Sequence, residues 1–369
     1  MPSDYGECFV VLQPFAENGG AIYGRNSYDT TNEVTEVLYF PAKDDDSGPK
    51  KCTAVEVDGA PARAVIFSAP ASVGGGAGSG ANDKGVAIGL CFAENEASDG
   101  ALVAMDLVRL GLERGATACE AVEAIGALVE KYAAAEGDSA APRSSFVVCD
   151  AKEAWFISVV GNLWAAEQIT EGFRASPRGL NVTTKIDKCS SDLREKVQSL
   201  GVWDGSGELN FATCFGSSST AEATFPINTP SAEAAFTLPH MFQLLRADDL
   251  HQDTVVSSHV SSLSPSGVSC HWFTATPNTR ESVFKPFVFT ANARISPLTT
   301  LDASKSDQTL LFKYHHGRNW AAVGNLLASL EETCVAEVKD VLATISDAEG
   351  HELDDLMKDC VEAEVKFYR

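Results

Sequence analysis

The chain has 369 residues, 44% of them hydrophobic and 8% aromatic, a composition that supports a folded core and excludes a disordered or collagen-like polypeptide. Lys and Arg number 28 against 51 Asp and Glu, a formal net charge of −23. A surface of that sign repels phosphate backbones and anionic lipid, which argues against nucleic-acid binding and membrane-surface roles.

Residues 8 to 66 read as strands broken by turns. The stretches CFVVL, GGAIYGRNS and EVTEVLYF alternate β-branched or aromatic residues with others, and Glu17-Asn18-Gly19-Gly20 marks a turn between the first two. The chain thus opens with a β-hairpin that has Cys8 at the start of its first strand. A charged loop follows at 42–51, then a strand in ARAVIFSA, a glycine-rich loop at 73–85 and a further strand in GVAIGLCF.

Beyond residue 100 the period changes from two to about 3.6. Leu102, Met105, Leu107, Leu110 and Leu112 form the apolar faces of a helix ended by Gly115. Thr117 and Glu120 make a capping box for a second helix with the stripe Val122, Ile125, Leu128 and Val129. SSFVVCD, EAWFISVVG, LWAAEQI, HWFTATP and SVFKPFVFTA return to strand pattern, and 319–347 and 351–368 are helical with a break at Gly350. Strands, a helical pair, more strands and terminal helices predict a layered α+β architecture.

No apolar run approaches the length of a membrane span, and Asp4 and Glu7 stand where a signal peptide carries basic residues. A cytoplasmic protein without membrane association is expected. Ten cysteines, at 8, 52, 91, 119, 149, 189, 214, 270, 334 and 360, are scattered without any C-x-x-C. They read as free thiols, most of them small buried hydrophobes. In that compartment the sequon Asn181-Val182-Thr183 is expected to stay unmodified.

The run Gly76-Ala77-Gly78-Ser79-Gly80-Ala81 matches a loose dinucleotide-binding pattern, yet a strand-like segment follows where a helix is required. It reads as a flexible loop, and no cofactor is expected. Lys84 lacks the Ser or Thr of a phosphate-binding loop, and His315-His316 has no partners at metal-ligand spacing, so no metal is expected either.

Cys8 has two readings. It is a buried strand cysteine, or, once the residues before it are removed, a nucleophile carrying its own free amine. That amine titrates at roughly 7.7 to 8.0 and the thiol at about 8.5, so one serves as base for the other. The ends of the hairpin bring Arg25 towards the thiol, where a guanidinium lowers the thiol pKa and holds negative charge; a surface arginine in a turn is the other reading.

CFVV at Cys8, GRNS at 24–27, NEVTEVLYF at 32–40, GANDKGV at 80–86, MDLVRLGLERGATACEA at 105–121, EAWFISVVGNLWAAEQITEG at 153–172, FTATPNTRESVFKPFVF at 273–289 and DCVEAEVKFYR at 359–369 carry a family resemblance over most of the chain. The sequence resembles the secernins, in peptidase family C69, the cysteine dipeptidase branch of the N-terminal nucleophile hydrolases. The resemblance implies a four-layer α/β/β/α sandwich spanning 8–300. It adds a self-cleaved propeptide at 1–7 and a C-terminal helical extension at 301–369.

Its implied catalytic residues are Cys8, Arg25, Asp29 and Asn95, with Asn26, Asn82, Asn181 and Arg280 on the substrate. Asn82 also reads as a turn former, and Lys285 competes with Arg280 for the basic position. Tyr28 departs from the pattern, since related hydrolases carry an acidic residue there and Asp29 follows one position later. Cys91 lies nearest the position of the relatives' oxyanion asparagine, with Asn95 the closest asparagine. The implied activity is hydrolysis of small peptides or N-acyl amino acids, with a homo-oligomer admissible. The alternative is a regulator of secretion in which hydrolysis is weak or lost.

Overall fold

The computed structural model describes residues 5–28, 33–45, 48–73, 75–94, 100–133, 141–176, 178–216, 234–250, 255–302, 304, 306–316, 320–344 and 351–369. Its first part comprises β1 (Tyr5–Val11), β2 (Ala21–Tyr28), β3 (Thr35–Phe40), β4 (Lys50–Lys51), β5 (Glu56–Val57), β6 (Val65–Pro70), β7 (Ser79–Asn82) and β8 (Ala87–Glu94). Helices α1 (Ala104–Arg114) and α2 (Ala118–Tyr132) follow, then β9 (Arg143–Cys149), β10 (Ala154–Val160), β11 (Leu163–Ile169), β12 (Phe173–Ala175) and β13 (Lys188–Cys189). The remainder is α3 (Leu193–Ser199), α4 (Phe211–Cys214), α5 (Leu238–Leu245), β14 (Val255–Leu263), β15 (Cys270–Phe273), β16 (Lys285–Phe287), α6 (Leu310–His315), α7 (Trp320–Thr344) and α8 (Leu356–Tyr368).

Among the described residues the main strands form two sheets, ordered β12-β1-β2-β14-β15-β16 and β13-β11-β10-β9-β8-β7-β6-β3. Side-chain alternation along each strand decides what packs where. Cys8, Val10 and Tyr23 of the first sheet share one apolar cluster with Ala87, Cys91, Val147 and Phe156 of the second, so these faces are stacked on each other. Ile88, Leu90, Phe146, Val148 and Ile157 point the other way and bury against Leu107, Leu110, Val122 and Ile125 of α1 and α2. The opposite face of the first sheet, with Phe9, Ile22 and Trp272, packs on Met241, Phe242 and Leu245 of α5 and Val338 of α7. The fold is therefore α+β, a four-layer α/β/β/α sandwich.

The helical pair forms as its periodicity predicts, with one shift at the cap. Thr117 Oγ1 accepts from the Glu120 N–H at 3.1 Å, but the Glu120 carboxylate accepts from Ala116 N–H at 2.8 Å, one residue ahead of the box position. Helix α7 joins the outer layer through Val338, while α6 and α8 close one edge of the sandwich, where Leu311, Val361 and Val365 bury against Phe273, Val283 and Phe287. Lys285 and Glu364, both fully buried, pair at 2.8 Å and tie α8 to β16.

Two segments depart from expectation. The stretch read as a flexible glycine loop contains β7, a buried strand in the middle of the second sheet. Its small residues are a packing requirement, since a Cβ on Gly80 would lie 2.4 Å from the Ile66 carbonyl oxygen. Central strand β14 carries the sequence VVSSHVSSL, too polar to register as a strand because its serines and histidine face a buried polar network rather than an apolar core. Among the described residues no helix is long and apolar enough to cross a membrane.

Candidate active site

The site is built where β1 and β2 face β8. The hairpin register pairs Cys8 with Arg25, and Arg25 in turn pairs with His259 of β14. In adjacent antiparallel strands directly opposed side chains share a face, so these three residues all point into the space between the sheets. Cys8 has no exposed surface and Arg25 has 1%. The Arg25 Nε donates to the Leu90 carbonyl at 2.7 Å and Nη1 donates to Ser27 Oγ, which anchors the cation beside the thiol.

Gly89 makes this convergence possible. A Cβ there would lie 1.9 Å from Tyr23 Oη, 2.9 Å from Arg25 Cδ and 3.0 Å from Cys8 Sγ, so any side chain would evict the site. Tyr23 Oη stands 3.5 Å from Cys8 Sγ. Cys91, two residues beyond Gly89 in β8, donates to the Gly89 carbonyl at 3.8 Å and lies beside the Cys8 sulfur. Burial works against ionisation of Cys8, but the Cys91 thiol, the Arg25 guanidinium and the Tyr23 hydroxyl overcome it, and the Cys8 pKa lies below that of an ordinary thiol. Burial pushes the Cys91 thiol well up, and the negative charge it faces on Cys8 adds to the shift, leaving Cys91 as the donor of the pair.

The remaining wall comes from β12 and the segment after it. Ser176 N–H donates to the Cys8 carbonyl at 2.8 Å. The Ser176 hydroxyl bonds to Cys91 and accepts from Asn181 Nδ2 at 3.2 Å, while Asn181 Oδ1 accepts from Ser158 Oγ at 3.1 Å. Asn181 thus reaches the thiol pair through one hydroxyl. Tyr28, where the resemblance places an acidic group, donates to the Glu7 carboxylate at 3.0 Å. In the full-length chain the residue just before Cys8 supplies that carboxylate.

The other expected site residues sit elsewhere. Asn26 follows Arg25 by one residue and so faces outward, donating to the Leu245 carbonyl of α5 at 2.9 Å and accepting from Ser258. Asn82 is at the far end of β7, where its Nδ2 bonds to the Leu112 and Gly115 carbonyls at 2.8 and 2.7 Å. Its Oδ1 accepts from the Lys84 and Val86 N–H groups, both at 3.0 Å, so it shapes the β7–β8 turn and ends α1. Arg280 lies outside the first sheet and pairs with Asp248. Lys285, its competitor for the basic position, is consumed by Glu364. The polar atoms of these four side chains are bonded away from the Cys8 thiol. Asp29 and Asn95 lie outside the described residues.

Sequence reading passed over Tyr23, Gly89, Ser79, Ser176 and His259. An isolated glycine inside the strand AIGLCF was the available signal for Gly89, because it marks close backbone approach. The others join the site from separate strands and have no local signature. Among the described residues no group of three or more His, Cys, Asp and Glu side chains is arranged to hold a metal ion.

One solved structure similar to this chain is the penicillin V acylase from Agrobacterium tumefaciens, with 15% identity and a TM-score of 0.42 over 82% of this chain and 89% of that one. The model of peptidase family C69 matches residues 50–248. That range starts beyond Cys8 and Arg25 but contains Gly89, Cys91, Ser176 and Asn181, and it covers more than half of the sequence. By that match the chain belongs to peptidase family C69, whose name implies hydrolysis of C–N bonds.

Proposed function

We propose that the protein is a cysteine amidohydrolase of dipeptidase type, acting on small peptides or N-acyl amino acids with Cys8 as nucleophile. The observation that supports this most is the thiol itself, the one cysteine held between a buried guanidinium, a phenol and a second thiol over a glycine that leaves it room. Such surroundings favour the thiolate, which is the attacking species. The Glu7–Cys8 bond lies within β1, and its cleavage frees the α-amine of Cys8 as a local base.

In this reading the Cys8 sulfur attacks the amide carbon, forming an S–C bond and a tetrahedral oxyanion. Arg25 balances the negative charge around the thiolate. Backbone N–H groups stabilise the oxyanion, and Asn95 and Asn181 are the side-chain candidates to assist them. Collapse breaks the C–N bond, and the leaving amine takes the proton carried by the Cys8 ammonium. Water, deprotonated by the same amine, then hydrolyses the thioester and restores the thiol. Asp29 is the carboxylate available to hold the amine once Glu7 has left.

A secretion regulator with weak hydrolysis is the second reading, and a specific feature favours it. Tyr28 fills the usual acidic position and is buried to 1% exposure, so the cut enzyme loses the carboxylate that Glu7 provides. Intact mass and turnover decide between them. The amidohydrolase is expected to start at Cys8 and to lose all amide hydrolysis in Cys8→Ala. A purified chain that still begins at Met1 or Pro2, or a Cys8→Ala variant that hydrolyses as fast as the parent, overturns it.

A further inference from the structure

Six side chains on the inner faces of the two sheets form an unbroken hydrogen-bonded series that begins at Cys8. Cys8 Sγ meets Tyr23 Oη at 3.5 Å, and Tyr23 Oη meets Ser79 Oγ of the facing sheet at 3.1 Å. Ser79 Oγ is 2.8 Å from His259 Nδ1. His259 Nε2 is 2.8 Å from Ser261 Oγ, which is 2.8 Å from His271 Nδ1. Tyr23, Ser79, Ser261 and His271 have no exposed surface, and His259 has 1%.

The series has a direction. His259 is opposite Arg25, Ser261 lies two residues further along β14, and His271 pairs with Ser261 near the β14–β15 turn. His271 forms part of the wall of a cleft of about 380 Å³ with Asp83, Lys84, Ser264 and Ser269, at the end of the sandwich away from Ser27 and Tyr28. Among the described residues its Nε2 is buried without a hydrogen-bond partner. A buried imidazole beside a cleft, with one nitrogen satisfied and the other without a partner among the described residues, is unexplained by packing alone.

We propose that this series is a proton relay that stabilises the Cys8 thiolate, by holding each donor turned toward the sulfur, and exchanges the thiol proton with water at the far cleft, with Ser261 as the positioning residue at its centre and His271 as its outer terminus. The inference rests on Cys8 being the reactive thiol. It addresses the full-length chain in particular, where the nitrogen of Cys8 is tied up in the Glu7–Cys8 amide and cannot act as base.

Proton bookkeeping closes along the whole series. With Cys8 as thiolate, Tyr23 donates to sulfur, Ser79 to Tyr23, His259 Nδ1–H to Ser79, Ser261 to His259 Nε2, and His271 Nδ1–H to Ser261. His271 Nε2 is then a bare lone pair. When water in the cleft gives Nε2 a proton, His271 passes its Nδ1 proton to Ser261, Ser261 passes its own to His259 Nε2, and His259 releases its Nδ1 proton to Ser79. Ser79 protonates Tyr23 and Tyr23 protonates sulfur, so every intermediate group ends with the number of protons it began with and both histidines finish neutral. The reverse sequence removes the thiol proton to water. Both rings are kept neutral by burial, which suits them to pass protons without storing charge. The Ile88 carbonyl, 3.2 Å from Ser79 Oγ, offers that hydroxyl a competing acceptor.

Among the described residues the charged and titratable groups near the series are Glu7 on β1, Arg25 on β2, Cys91 on β8, and Asp83 and Lys84 at the cleft. None of them is altered by a change at Ser261. The test titrates Cys8 by its ultraviolet thiolate absorbance in the full-length protein, with Cys8→Ala as the blank. Ser261→Ala removes the donor that keeps His259 in the Nδ1–H form, and it is expected to leave about tenfold less thiolate at a given pH below the midpoint. Ser261→Thr, which restores a hydroxyl, is expected to titrate as the parent. If Ser261→Ala fails to fold, His271→Phe removes the next donor and is expected to shift the titration in the same direction.

A folded Ser261→Ala or His271→Phe whose Cys8 titration superimposes on that of the parent overturns the relay. Because the readout is ionisation, its result is separate from that of the hydrolase reading. A shifted titration in a protein that hydrolyses no amide supports the relay and removes the enzyme; an unshifted one with active enzyme does the opposite.

Discussion

The two faces of the eight-stranded sheet are made by the same strands, yet only the inner one sets a polar network among its apolar residues Ala87, Val147 and Phe156. Ile88, Leu90, Phe146, Val148 and Ile157 on one face pack only apolar atoms against α1 and α2. Their neighbours on the other face, Ser79, Gly89, Cys91, Ser145 and Ser158, are just as buried, yet their polar atoms are bonded to backbone, serine, asparagine or histidine. Burial alone therefore does not distinguish core from site in this molecule. What does is whether the interior is satisfied by dispersion contacts or by hydrogen bonds, since a buried polar atom left unmade costs about 1–3 kcal/mol.

The inner face is expected to tolerate change far less in activity than in stability. Gly89→Val, whose first added carbon collides with Tyr23, Arg25 and Cys8, is expected to lower kcat/KM by more than about 100-fold, because small displacements of reacting groups cost that much. A variant retaining parental turnover would show that these groups do not act together.

The outer face reverses the balance. Phe146→Ala is expected to destabilise by about 3–5 kcal/mol through the cavity it leaves, with kcat/KM unchanged for the fraction that stays folded. Chemical denaturation with turnover measured in parallel checks both halves. A fall in activity without loss of stability would mean that the helix-side core communicates with the thiol.

The smallest effect is read by pH on the six-stranded sheet, whose His271 belongs to the same buried polar network. Burial holds His271 neutral with its pKa pushed down to about 3. The unfolded chain takes up that proton below roughly 6.5 and the folded one does not, so the full stability is present above 6.5 and is lost as the pH falls towards 3. The loss attributable to this ring reaches about 2 kcal/mol at a pH of about 5. Thermal melts at about pH 7 and about pH 5 are expected to converge in His271→Phe relative to the parent; parallel losses in both would place the acid sensitivity in other groups, His259 and His315 being the next candidates.

How far such residues can be read in advance depends on how they reach the site. Cys8 and Arg25 were legible because one hairpin contains both, and hairpin register is a local property. Asn26 faces away from the thiol for the complementary reason: it is adjacent to Arg25 in sequence, and adjacency in a strand means opposite faces. Asn82 has a turn signature and is a turn former in fact, far from the thiol. Asn181 reaches the neighbourhood of Cys8 through Ser176, a link with no sequence mark of its own.

The sequence by itself determined the layered α+β class, the helical pair and the pairing of Cys8 with Arg25. Each of these follows from periodicity or from contacts between chain neighbours, where the physics is local. Only the tertiary structure decided that a glycine-rich stretch is a central strand, that a serine-rich one is another, and that Tyr23 and Gly89 meet at the Cys8 sulfur with Ser79 and His259 lined up behind Tyr23. Those outcomes depend on two sheets stacking in one register, and a polar side chain becomes a core residue only when a partner from a distant strand arrives to satisfy it.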